Sequence, residues 1–267
     1  MTMPIDLVLV RHGESVGNVA IKKSRKGDHS GYTTDLLELH SSKWRLTDLG
    51  REQAAKAGLW LRANISPTFD RYFVSEYWRA KETAALLGFP NANWLVEFYL
   101  RERDWGVFDN MAEDERLVKY PDWKKKRKQD GFFWAPPNGE SVADVCLRNE
   151  RILNTLHREC SDKRVVIVLH GETMWAFRVR LERMSQKRYH ELDESKDPKD
   201  QIYNCQILHY TRRNPGTNEL APYLNWFRSI CPSDLRLSRN SWETIVRPKY
   251  SNEDLLAEVE KTPRLID

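Results

Sequence analysis

Five groups of residues in this chain could do chemistry on an anion. The first is Leu9-Val10-Arg11-His12-Gly13-Glu14-Ser15. Here an apolar run ends in a histidine beside an arginine, and the glycine lets the backbone come close to a ligand. In Ser75-Glu76-Tyr77-Trp78-Arg79-Ala80, Arg79 follows a second apolar run and falls at the start of a helical segment. A guanidinium there adds a bidentate donor to the preference of a helix N-terminus for anions. Leu100-Arg101-Glu102-Arg103-Asp104-Trp105-Gly106 sets two acids among arginines and aromatics, surroundings that can tune a carboxyl for proton transfer. Asn138-Gly139-Glu140-Ser141 opens a long helical stretch, and His170-Gly171-Glu172 repeats the histidine–glycine–glutamate order of the first group. Each has a plainer reading when taken alone. Arg79 reads as a surface arginine, and His170 as a buried histidine satisfied by the backbone.

The elements that must position these residues can be read from periodicity. Ile5 to Val10 is a short apolar run ending in a polar turn, the profile of a buried strand feeding a loop. Val165 to Leu169 is a continuous apolar run, as expected of a strand buried on both faces. Tyr72-Phe73-Val74 and Ile207-Leu208 mark two more strands. Helices are predicted from Thr47, where Ala54, Ala57, Gly58 and Leu61 recur at helical spacing, from about Trp78 to Leu87, from Ser141 to about Glu159, and after His170. This alternation predicts an α/β three-layer sandwich, with a mostly parallel central sheet and helices on both faces. Both histidines then sit at C-terminal strand ends, the edge where such sheets bind ligands.

Three stretches break the pattern. Val19 to Arg45 is polar and reads as an irregular surface insertion. Residues 98–137 are rich in aromatics, carry Lys124-Lys125-Lys126-Arg127-Lys128 and stop at Pro136-Pro137; they read as an inserted cap. From 212 to 267 the chain carries Pro215, Pro222, Pro232 and Pro248, several aromatics and weak periodicity. That divides the chain into a main domain over 1–211 and an extension over 212–267 packed on it, with Ser251 opening a short terminal helix.

Composition sets the outer limits. Charged residues make up 31% and apolar residues 40% of the 267, which excludes a disordered chain. The formal charge of +4 admits an anionic substrate and gives no reason to expect nucleic acid as a partner. No apolar run approaches the roughly 20 residues of a membrane span, and no signal peptide is evident. Cys146, Cys160, Cys205 and Cys231 are widely spaced, without paired metal-ligand spacing, and read as reduced thiols in a cytoplasmic protein. Neither a metal nor another cofactor is expected.

Taken in order, the motifs resemble the histidine phosphatase superfamily, which includes the cofactor-dependent phosphoglycerate mutases. The resemblance spans roughly residues 5 to 210. It rests on Arg11-His12-Gly13-Glu14-Ser15 with Asn18, Leu46-Thr47-Asp48-Leu49-Gly50 with Gln53-Ala54, and Ser75 through Arg79-Ala80 with Thr83-Ala84. Glu102, Gly139-Glu140-Ser141, His170-Gly171 and Asn204-Cys205 complete it. It implies that His12 attacks phosphorus through an unprotonated ring nitrogen while Arg11, Arg79 and His170 surround the transferred group. It also implies that Glu102, rather than its rival Asp104, protonates the leaving oxygen. Ser15, Asn18 and the Gly171 N–H are expected as further phosphate donors.

The implied activity is hydrolysis of a small phosphomonoester. Phosphoglycerate mutase chemistry is the alternative, and a non-catalytic phosphate-binding scaffold is the reading from another class. The chain departs from the glycolytic mutases over residues 19–45 and at Val107-Phe108-Asp109-Asn110, both regions that border the substrate in the family. A closer likeness around Arg101 to Gly106 is to the plant phosphoglycerate-mutase-like proteins. The Lys124–Lys128 cluster reads either as a solvated helix face or as an attraction for a second anionic group on the substrate.

Overall fold

The computed structural model describes residues 2–266. In chain order the first elements are β1 (Asp6–Arg11), α1 (Val16–Ser24), α2 (Thr34–Glu38), α3 (Asp48–Asn64), β2 (Arg71–Ser75), α4 (Trp78–Leu86) and β3 (Trp94–Glu97). Then come α5 (Glu113–Lys119), α6 (Trp123–Asp130), α7 (Val142–Glu159), β4 (Arg164–Leu169), α8 (Gly171–Glu182) and α9 (Gln186–Asp193). The last are β5 (Ile207–Thr211), β6 (Trp226–Ile230), β7 (Arg239–Thr244) and α10 (Asn252–Val259).

The strands form one sheet in the order β3-β2-β4-β1-β5-β6-β7. The β3, β2, β4 and β1 pairings are parallel, and β5, β6 and β7 follow by antiparallel pairing. Five of the seven strands therefore run one way, in a mixed sheet. Alternation along β1 and β4 sends side chains to opposite faces. Leu7, Leu9, Val165, Ile167 and Leu169 pack under α7 and α8, while Val8, Val10, Val166 and Val168 pack with Ala54, Ala57 and Leu61 of α3 and Ala80 and Ala84 of α4. That is why both runs are apolar throughout rather than at every second residue. The helices start at side-chain caps. Thr47 accepts from Gly50 N–H, and Ser15 and Ser141 each form a reciprocal box, with Asn18 and Asp144.

Val19 to Arg45 is more ordered than its polarity suggests. It holds most of α1, all of α2 and a 3-10 turn over Ser41–Lys43. Ala20, Leu36 and Trp44 bury one another in a small core of their own. A Cβ on Gly17 would lie 2.0 Å from the Trp44 ring, so the segment is packed tightly onto α1. The cap segment winds α5 and α6 around a second satellite cluster of Phe108, Met111, Trp123 and Trp134. Beyond residue 211 the chain adds β6 and β7 to the sheet, and Arg228 stacks 4.5 Å from the Trp242 ring. The terminal helix α10 buries no residue. Among the described residues no helix is long and apolar enough to cross a membrane.

Candidate active site

Parallel pairing of β1 with β4 sets Arg11 opposite Leu169, so His12 and His170 leave the sheet side by side. The His12 N–H continues the ladder to Leu169 O at 2.9 Å. The His12 side chain is 2% exposed, and its ring centroid lies 5.1 Å from that of His170. His12 Nδ1 lies 2.7 Å from Gly13 O. A carbonyl only accepts, so Nδ1 carries the proton and Nε2 keeps its lone pair. Arg79 Nε donates to that Nε2 at 3.1 Å. Burial, then the Arg79 and Arg11 guanidinium groups, hold the His12 pKa well below the ordinary imidazole value of 6.5. The ring is thus neutral and in a fixed tautomer, set against a cation.

Arg79 occupies the first turn of α4, where the sequence predicts it. Its Nη1 donates to Ser41 O at 2.7 Å, and its guanidinium lies 5.0 Å from the Tyr77 ring centroid. Four residues on, Thr83 donates to Arg79 O and accepts from Gly13 N–H, tying α4 to the histidine loop. Arg11 Nη1 donates to Ile202 O at 2.7 Å, while its buried Nε has no protein partner. His170 is fully buried; its Nε2 lies 2.8 Å from Ser75 Oγ, and its Nδ1 has no protein partner. Burial, followed by Arg79 and His12, keeps His170 neutral as well.

Glu102 is half-buried, and its Oε1 accepts from Arg103 N–H at 2.9 Å and from the N–H and hydroxyl of Thr173 at 3.3 and 3.4 Å. Burial, then the Glu172 carboxylate, raises its pKa above the ordinary 4.5, against the pull of Arg79 and Arg11. A carboxyl shifted that way can hold a proton to deliver. Asp104 is exposed, and its Oδ1 accepts from Gly106 N–H at 2.7 Å. Glu140, in the Gly-Glu-Ser motif, clasps Arg101 at 2.7 Å and Arg148 at 2.9 Å and also accepts from Asp104 N–H, which pins the Arg101–Asp104 loop.

Two expectations change. Gly13 does open a close approach, but to protein. A Cβ there would lie 2.3 Å from Gly50 O, and one on Gly50 would lie 2.0 Å from Glu14 O, so α3 and the histidine loop meet glycine to glycine. Ser15 is expected to donate to phosphate, yet its hydroxyl donates to Asn18 Oδ1 and accepts from Asn18 N–H, which commits it to the cap of α1. Asn18 Oδ1 also accepts from Asn204 Nδ2, leaving the Asn18 NH₂ to donate. Gly171 begins α8, and a Cβ there would meet Arg11 Nε at 3.3 Å.

Over Arg79 opens a cleft of about 450 Å³, walled by His40 to Lys43 of the insertion, by Glu76 to Trp78, and by Arg101 to Asp104 and Asp109 of the cap. Burial raises the Asp109 pKa, opposed by Ser41 and Arg79. Lys124 to Lys128 lie on α6 and contribute nothing to this wall. A second anionic group held in the Arg79 cleft would therefore not touch them.

Reasoning from residue types passes over Ser41, Thr173 and Arg148. Ser41 reaches Arg79 through its carbonyl, and Thr173 acts through its N–H as well as its hydroxyl, which donates to Arg101 O at 2.8 Å; no motif records the backbone atoms. Arg148 is signalled only by its place about two turns inside α7, on the buried face.

The family model of the histidine phosphatase superfamily (branch 1) matches residues 7–198, more than half of the chain. The chain belongs to that superfamily. A phosphoglycerate mutase-like protein of Arabidopsis thaliana is 31% identical over 248 residues, covering 82% of this chain and 73% of its own. A 2,3-bisphosphoglycerate-dependent phosphoglycerate mutase of Methylorubrum populi is 30% identical over 190 residues, 68% of this chain and 81% of its own. Among solved structures, the alpha-ribazole phosphatase of Shigella flexneri superposes with a TM-score of 0.61 at 20% identity, covering 82% of this chain and 96% of its own. A mycobacterial glucosyl-3-phosphoglycerate phosphatase gives 0.60 at 23%, covering 77% and 92%. These superpositions place the chain in the superfamily's α/β fold, and the relatives carry both mutase and phosphatase names.

Proposed function

We propose that this histidine phosphatase family member is a phosphatase, hydrolysing a phosphomonoester through a phosphohistidine on His12. The observation that carries this is the state of His12: neutral, protonated at Nδ1, with its Nε2 lone pair facing the Arg79 N–H. In the first step Nε2 attacks phosphorus, the ester P–O bond breaks, and the leaving oxygen takes the proton of Glu102. In the second, the Glu102 carboxylate takes a proton from water, whose oxygen displaces the imidazole. Arg11, Arg79 and His170 spread over the oxygens of the transferred group, where such reactions gain most of their rate. The Asn18 NH₂ and the Gly171 N–H add donors. In this reading the 98–137 cap selects the leaving group through the residues that wall the cleft, Arg101 to Asp104 and Asp109, and residues 212–267 take no part in the chemistry.

Hydrolysis is preferred over mutase chemistry because the two segments in which the chain departs from the glycolytic mutases both border the cleft, at His40 to Lys43 and at Asp109. Incubation with a panel of phosphomonoesters, including 3-phosphoglycerate, tests this. Net release of inorganic phosphate is expected; interconversion of 3- and 2-phosphoglycerate without release would replace the proposal.

The pH profile follows from the two directions of shift. His12 must be neutral, and its lowered pKa keeps it so, so kcat/KM should hold as pH falls through 6.5 and drop only well below it. Glu102 must be protonated, and activity should fall as pH rises through a value above 4.5. Glu102→Gln should erase that basic limb. An acid limb centred at 6.5, or a basic limb that survives Glu102→Gln, would contradict the assignments.

The cations that compensate the phosphoryl charge are guanidinium groups, and among the described residues no cluster of His, Cys, Asp or Glu is arranged to hold a metal ion. Turnover should survive exhaustive EDTA treatment. Recovery that depends on added Mg²⁺ or Zn²⁺ would point to another mechanism.

A further inference from the structure

Arg103 lines a second cleft as well as the first. This one, about 690 Å³, lies between α6, the ends of α1 and α9, and the Arg103–Trp105 loop, and it is larger than the cleft over Arg79. Six arginine and lysine side chains line it against three carboxylates. Part of that surplus is spent within the protein. Glu113 takes Lys124 at 2.6 Å and Arg116 at 3.9 Å, and the buried Arg103 approaches Glu172 at 3.6 Å. Arg25, Arg127 and Lys128 form no ion pair among the described residues. Arg127 is half-buried and held by stacking, 5.7 Å from the Trp105 ring centroid and 6.0 Å from that of Trp134. A cation fixed on aromatic rings loses little freedom when it engages an anion.

A second observation points the same way. Arg116 Nε and Trp123 Nε1 are buried donors without a protein partner, and both residues line this cleft. Buried N–H groups are almost always paired, so two orphans on one set of walls mark a place where an acceptor belongs. Of the opposing acids, Asp193 is pushed toward its neutral form by burial and by Glu172, which weakens its repulsion of an anion.

We propose that this second cleft binds an oligophosphate, a chain of two or three linked phosphate groups, on Arg25, Arg127 and Lys128 with Arg116 and Trp123 as further donors. The cations come from separate segments, Arg25 just past the end of α1 and Arg127 and Lys128 on α6, and a chain of phosphates offers oxygens to each. The cleft is distinct from the one over Arg79 and needs no turnover to be filled. Its occupant would touch Arg103, whose own N–H is held by the Glu102 carboxylate at 2.9 Å, so occupation has a route to the catalytic loop.

Binding of inorganic tripolyphosphate and of ATP, followed by calorimetry with orthovanadate saturating the Arg79 cleft, tests the site apart from the catalytic reading. Saturable binding of tripolyphosphate is expected, weakening as salt is raised. The triple variant R25Q/R127Q/K128Q should bind it about tenfold more weakly or worse. The same variant should hydrolyse an aryl phosphate as the wild type does, which also reports that it folds. R25E/K128E, which changes two exposed residues only, repeats the test without disturbing the aromatic stack. ATP binding as tightly as tripolyphosphate, or more tightly, upholds the site and distinguishes a bare phosphate chain from a nucleotide. Loss of binding when vanadate is present, binding untouched by either variant, or adenosine binding as well as ATP would overturn it.

Discussion

Replacing His12 with alanine is expected to lower turnover by roughly 10⁴-fold or more, as loss of a nucleophile does, and to abolish a trapped phosphoenzyme. The tautomer of His12 is the reason. Gly13 O fixes the Nδ1 proton and leaves Nε2 as a lone pair, while burial with Arg11 and Arg79 keeps the ring from protonating. Among the described residues His209 comes nearest to combining those properties, with Asp6 on its Nε2 and Arg228 facing its Nδ1, but it sits in the middle of β5 opposite Val8 and does not border the cleft. His170 is also neutral, but no carbonyl fixes its tautomer, since Nε2 meets only the Ser75 hydroxyl at 2.8 Å and Nδ1 has no protein partner, and the cysteines Cys146 and Cys205 are thiols whose pKa burial pushes up to about 12. Wild-type enzyme quenched in base during turnover of a labelled substrate should carry an acid-labile adduct that maps to His12. An adduct on His170 or on a serine, with none on His12, would end the proposed mechanism. His12→Ala also removes a buried ring, so a comparison of Tm and far-UV circular dichroism must accompany it. His12→Gly with free imidazole is the sharper variant. Partial recovery of turnover by imidazole shows that the missing part is the nucleophile rather than the fold.

Much of the scaffold is legible in the sequence because its central strands are buried twice over. Leu7 to Val10 and Val165 to Leu169 are apolar at every position since one neighbour faces α7 and α8 and the next faces α3 and α4. Thr47 and Ser141 announce helices because a hydroxyl at that position satisfies an otherwise orphaned N–H. The strand-end histidines follow from those two facts. The outer strands are harder to read. β3 exposes Leu95 and Val96, and β6 carries a bulge between Phe227 and Ser229, so neither shows a clean period. Residues 19–45 look irregular because their core needs only Ala20, Leu36 and Trp44, spread over 25 positions. The least legible part of the site is the part made by backbone. Ser41 matters for its carbonyl and Thr173 partly for its N–H, groups that every residue carries, so only the fold reveals them.

Glu102 and Asp104 stand two residues apart at the edge of one cleft, and kinetics on graded leaving groups should separate them. Glu102→Gln is expected to slow phosphorylation of His12 by alkyl phosphates about 10²- to 10⁴-fold, the usual range for general acid catalysis. An aryl phosphate with an activated leaving group needs little protonation and should phosphorylate the variant at nearly the wild-type rate. The second half-reaction then exposes the other duty of the same carboxyl. Without a base to take the proton from water, the phosphohistidine should accumulate, seen as a burst of phenolate followed by a slow steady state. Asp104→Asn should show neither effect, since Asp104 is exposed and its Oδ1 is bonded to the Gly106 N–H of its own loop. Glu102, in contrast, is held by the N–H groups of Arg103 and Thr173, and its pKa is raised by burial and Glu172. The geometry therefore gives Glu102 both the fixed position and the proton affinity that the step requires. A leaving-group dependence that follows Asp104→Asn, with Glu102→Gln behaving as wild type, would reverse the two roles while leaving His12 as the nucleophile.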